Sequence, residues 1–140
     1  MIYLLLEADF RLAKQLIREI MDLGYEAVWS QHPEDAQRLL QQETFDLVVL
    51  ALSAREPLAL ETLAWLRAHR QKLPVLVLLE DAHPADRSVV LGAGAHAYLI
   101  KPFPPHAFRE QVRTLLRQFS GRRDAAEEPP DQARGVTDSM

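Results

Sequence analysis

The chain has 140 residues, enough for one domain with a proper core, and its 48% hydrophobic and 26% charged composition is that of a water-soluble globular protein. It contains no cysteine, which excludes disulfides, thiolate zinc sites and cysteine catalysis and fits a cytoplasmic setting. A net charge of -4 argues against direct nucleic-acid binding by this segment, and no apolar run approaches the roughly 20 residues that a membrane span needs.

The chain opens on Ile2-Tyr3-Leu4-Leu5-Leu6, a strand pattern with no basic leader before it, so no signal peptide is expected. Glu7-Ala8-Asp9 follows. From Phe10 to Leu23 apolar residues recur at helical spacing, with Asp9 as N-cap and Gly24 as a left-handed stop. Residues 26–30 read as a second strand, and Pro33 with Glu34 and Asp35 opens a helix to about Gln42.

The run Asp46-Leu47-Val48-Val49-Leu50-Ala51-Leu52-Ser53 reads as a buried parallel strand. In an open α/β sheet, chemistry gathers at the carboxyl ends of such strands. Ala51 stands at that end and has no acid, base or nucleophile to offer. A loop over 53–57, a helix from about Leu58 to Arg70, a fourth strand over 74–79 and a polar loop from Glu80 to Pro84 follow. A short helix then ends near Gly92-Ala93-Gly94, a fifth strand runs from His96 to Ile100, and Pro105 opens a last helix. Residues 120–140, rich in Gly, Pro and charge, read as a disordered tail or linker after a domain over 1–119.

Five strands alternating with helices predict a doubly wound, flavodoxin-like parallel sheet in the order 2-1-3-4-5, with helices on both faces. Its crevice would lie at the carboxyl ends of the first and third strands, beside Glu7, Ala8, Asp9 and Ala51. A nucleotide- or flavin-binding protein is the alternative use of that crevice, but the first loop lacks a Gly/Thr-rich phosphate cradle. The five histidines show no metal-ligand spacing, so neither metal nor cofactor is expected.

Three stretches together resemble the receiver domain of bacterial two-component response regulators, the CheY-like fold. They are Leu6-Glu7-Ala8-Asp9-Phe10, the Asp-Leu-Val-Val-Leu strand at 46–50, and Gly92-Ala93-Gly94-Ala95-His96-Ala97-Tyr98-Leu99-Ile100-Lys101-Pro102-Phe103. The resemblance covers residues 1–119. It implies an aspartate ending the third strand that takes a phosphoryl group, two acids that help hold Mg²⁺, and a Ser or Thr with a lysine that hold the phosphoryl oxygens. Such a site needs a carboxylate nucleophile, a metal to neutralise charge and donors for the product.

Position by position, the phosphoacceptor place is taken by Ala51, one paired acid by Ala8 and the hydroxyl place by Leu79; Asp9 and Lys101 remain. The expectation is a pseudo-receiver with a degenerate phosphorylation pocket (Glu7, Ala8, Asp9, Ala51, Leu79, Lys101), not an enzyme. Leu79 is expected to project into that pocket, Asp9 and Lys101 to pair across it, and Glu7 to point elsewhere. The resemblance also carries a cis Lys101–Pro102 bond. Glu80 and Asp81 are read as loop solvation, and Asp46 as too far from the crevice to matter. The partner is expected to be a signalling or regulatory protein, or a second copy, on the face of the fourth helix, fifth strand and fifth helix. There Tyr98 is a fixed aromatic, His96 and Ala97 replace the family's acidic pair, and Arg113 and Arg117 remain.

Overall fold

A computed structural model describes residues 1–52, 57–80 and 84–119. The segments 53–56, 81–83 and 120–140 lie outside the described residues, and with them fall Asp81, most of the expected loop after the third strand, and the expected tail. The elements are β1 (Ile2–Leu6), α1 (Phe10–Asp22), β2 (Glu26–Ser30), α2 (Pro33–Gln42), β3 (Leu47–Leu52), α3 (Pro57–His69), β4 (Val75–Leu79), α4 (Pro84–Ala93), β5 (Ala97–Ile100) and α5 (Pro105–Phe119). All neighbouring strands pair in parallel, in the order β2-β1-β3-β4-β5. This is the flavodoxin-like architecture expected from the alternation of strands and helices, and the CheY-like one that the resemblance implies.

The three central strands are apolar on both faces because helices cover both. Successive side chains of a strand still point to opposite faces, and this period of two sorts the core into two layers. Leu4, Leu6, Val48, Leu50, Val75, Val77 and Leu79 pack with residues of α2, α3 and α4. Tyr3, Leu5, Leu47, Val49, Leu76 and Leu78 pack with residues of α1 and α5. Ala51, Ala97 and Leu99 join this second layer as partly buried residues.

The local signals behave as the residue types dictate. Asp9 caps α1, its carboxylate accepting from the backbone N–H groups of Arg11 and Leu12. Gly24 takes a φ of 91° directly after that helix, a conformation that favours glycine. Lys101–Pro102 is cis. At the amino end of the sheet Asp46 accepts from Ile2 N–H at 2.8 Å, which ties β3 to β1 far from the crevice. Among the described residues no helix is long and apolar enough to cross a membrane.

Candidate functional site

The carboxyl ends of β1, β3, β4 and β5 are closed by one ion pair. Lys101 Nζ lies 2.8 Å from Glu7 Oε1, with the lysine side chain 17% and the glutamate side chain 3% exposed. Both positions extend their strands by one rung. Glu7 N–H donates to Ser30 carbonyl at 3.1 Å, and Lys101 N–H to Leu79 carbonyl at 2.7 Å. Counting by two from Tyr3 and Leu5 puts Glu7 on the α1–α5 side, and counting from Ala97 and Leu99 puts Lys101 there too.

Since β3 and β4 lie between β1 and β5, the two backbones are about three strand spacings apart, roughly 14 Å. Two long side chains close that distance. Ala51, on the same side of β3, contributes only a methyl group.

The rest of the Glu7 environment holds the carboxylate in place. Oε2 accepts from Asp9 N–H at 2.9 Å, while Oε1 has the Lys101 ammonium and no other described donor. The indole Nε1–H of Trp29 donates to the Glu7 carbonyl at 2.9 Å, and the Trp29 ring packs on Phe10 at 5.6 Å between centroids. Glu80 is exposed and lies 4.0 Å from Lys101 Nζ, an outer partner of modest effect.

Three expectations about the crevice need correction. Glu7 does not point elsewhere; its carboxylate meets Lys101 in the crevice, because strand parity carries it to that side. Asp9 does not pair with Lys101; its carboxylate is spent on the N-terminus of α1, and Glu7 takes the lysine instead. Leu79 does not project into the crevice. It is 1% exposed and packs in the α2–α3–α4 layer, the opposite side of the sheet from Lys101. Ala8 is exposed.

A Mg²⁺ site of the kind the resemblance implies does not fit this arrangement. The Ala8 and Ala51 side chains have no oxygen, the Asp9 carboxylate is a helix cap, and the Glu7 carboxylate is already neutralised.

Trp29 anchors the backbone of Glu7, a role that the sequence pattern alone does not point to. Its sequence signal is slight, an aromatic with a polar tip in an edge strand.

On the other expected face, Tyr98 is half-buried against the α4-side core, with the Arg87 guanidinium 6.0 Å from its ring centre. Arg113 and Arg117 are exposed on α5. His96 precedes β5 and is tied back to β4. Its Nδ1 accepts from Val75 N–H at 3.0 Å, its own N–H donates to Val75 carbonyl at 3.0 Å, and Phe119 stands edge-on at 4.6 Å.

Burial, with the nearby Arg67 charge, lowers the His96 pKa below its ordinary value of 6.5. The neutral ring is therefore the native form, and the unfolded chain binds that proton more readily. Stability contributed by His96 should be intact above pH 6.5 and be lost as pH falls through the native pKa. Urea midpoints across that interval should fall less steeply for His96→Asn; an unchanged slope would assign the pH dependence to other groups.

The sequence model described as "Response regulator receiver domain" matches residues 4–113. A swarming motility regulation protein, RssB of Serratia marcescens, is 32% identical over 120 residues, covering 84% of this chain and 54% of the relative. The transcriptional regulatory protein BasR of Escherichia coli is 32% identical over 117 residues, covering 84% and 53%. The chain thus spans about half the length of these curated relatives. Among solved structures, a CheY-like receiver domain protein of Methanospirillum hungatei superposes with a TM-score of 0.79 at 19% identity, covering 87% of this chain and 98% of that one. An orphan response regulator of H. pylori gives 0.75 at 21%, covering 83% and 96%.

Proposed function

The chain belongs to the response regulator receiver domain family of two-component signalling, and on that premise we propose that it works without phosphorylation, as a protein-interaction module. The observation that carries this reading is the Lys101–Glu7 pair. The lysine that the resemblance assigns to the phosphoryl oxygens is bound to a carboxylate of its own chain, across the end of a strand whose acceptor place the resemblance gives to Ala51.

A pair held inside the crevice gives Lys101 a fixed carboxylate partner where a working receiver would offer it phosphoryl oxygens. The surface that reads the crevice then keeps one state, and output follows partner binding, self-association or abundance. The α4–β5–α5 face suits such contacts, for Val89 and Leu91 of α4 are each 42% exposed and Arg113 and Arg117 lie exposed on α5. BasR, about a third identical, is named a transcriptional regulatory protein. We extend to this chain a cytoplasmic role in regulating transcription, through an effector domain or a partner.

Incubating the chain with acetyl phosphate and Mg²⁺ should give no adduct of about 80 Da, the mass of a phosphoryl group. Beryllofluoride with Mg²⁺ should change neither the mass by light scattering nor the melting temperature. A Mg²⁺-dependent adduct or shift would overturn the proposal.

A further inference from the structure

At the end of the sheet opposite Glu7 and Lys101, a cleft of about 340 Å³ opens between the last turn of α3 and the amino ends of β4 and β5. Leu66, Leu73 and Val75 supply its apolar lining, and Arg67, Arg70 and His96 its charged and polar lining. No Asp or Glu lines it among the described residues, although the chain as a whole carries a net charge of -4.

The cationic groups are held in place, and among the described residues no carboxylate lines the cleft beside them. Gly94, at a φ of 124°, lets the Arg67 stem lie against the end of α4, for a Cβ there would stand 3.3 Å from Arg67 Cβ and Cδ. Arg67 has no carboxylate beside it among the described residues that line the cleft. Arg70 spends one N–H on the His69 carbonyl at 2.9 Å and lies 5.3 Å over the Trp65 ring, with no described carboxylate partner. His96 Nδ1 is occupied by Val75 N–H, so a neutral ring carries its proton on Nε2, which remains a donor. Burial first, and then the Arg67 charge, lower the His96 pKa, so Arg67 lies close enough to the ring to act on it.

Two guanidinium forks and an imidazole N–H beside an apolar wall are suited to a tetrahedral oxyanion, since guanidinium geometry matches phosphate oxygens two at a time. We propose that this cleft binds a small molecule bearing a phosphate group, with Arg67 and Arg70 on its oxygens and His96 Nε2–H as a further donor. The site is separate from the crevice and does not depend on whether the crevice accepts a phosphoryl group.

The test is an NMR titration of the full chain at constant ionic strength, with inorganic phosphate and glycerol phosphate as separate probes. Saturable shifts of the Gly94 amide and the His96 ring are expected. Saturation by phosphate alone would identify the free ion as the ligand, and tighter binding of glycerol phosphate a monoester. Arg67→Gln and Arg70→Gln, which keep most of each stem, should each weaken binding at least about tenfold. Their unfolding midpoints would show that the fold is retained. Linear, non-saturating shifts with both probes, shifts centred on Glu7 and Lys101, or unchanged binding in both folded variants would each overturn the proposal.

Discussion

Replacing Lys101 by methionine is expected to lower folding stability by about 3–5 kcal/mol, the cost of leaving one member of a buried ion pair without its partner. The stranded group is the Glu7 carboxylate, 3% exposed and held by Asp9 N–H on its other oxygen, so it cannot turn out to water without releasing that bond. Methionine fills most of the volume of the lysine stem, so packing loss is small and the change reports the charge. Adding Glu7→Gln should recover much of the loss, because glutamine keeps an oxygen for Asp9 N–H and removes the unpaired charge. Urea unfolding of the two single variants and the double variant gives the coupling directly. A Lys101→Met cost below about 1 kcal/mol would mean that water screens the pair, as at an exposed site. The proposed fixed pairing of Lys101 would then lose its support.

The pairing partner of Lys101 shows where a sequence reading succeeds and where it stops. Strand order followed from alternating strands and helices, short connections and right-handed crossovers, and Gly24 and Asp9 marked the ends of α1 by local chemistry that tertiary contacts do not override. Roles in the crevice were instead carried over by aligned position, and the resemblance favoured Asp9. What decides the matter is strand parity one rung beyond each strand. Glu7 continues Tyr3 and Leu5, Lys101 continues Ala97 and Leu99, and both therefore face the α1–α5 side. That count was available in the sequence. The competing demand on Asp9 was also visible, since a carboxylate capping a helix is not free to hold a lysine. The Trp29 bond to the Glu7 carbonyl was not visible, because it depends on how β2 places an indole against its neighbour. The depressed His96 pKa depends likewise on how the fold buries the ring and then on an α3 arginine reaching it through space.

Parity also governs Leu79, and Leu79→Thr is expected to cost about 2–4 kcal/mol. The substitution restores the hydroxyl that the family resemblance assigns to the end of β4, so a position facing the crevice should tolerate it. Leu79 instead continues Val75 and Val77 into the α2–α3–α4 layer, where it is 1% exposed. Threonine there removes apolar volume and brings a hydroxyl into a layer made of leucine, valine, alanine and phenylalanine. Leu79→Met, which nearly conserves volume, should cost less than about 1.5 kcal/mol and so separates the polar penalty from simple repacking. Both are read from urea midpoints at an unchanged slope. If threonine costs no more than methionine, its hydroxyl has found water or the Lys101 ammonium, and β4 must deliver that side chain to the crevice. If the penalty appears, the hydroxyl position is closed by packing as well as by residue type. On the proposed reading, phosphoryl chemistry would then require re-facing the end of β4 as well as an Asp at position 51.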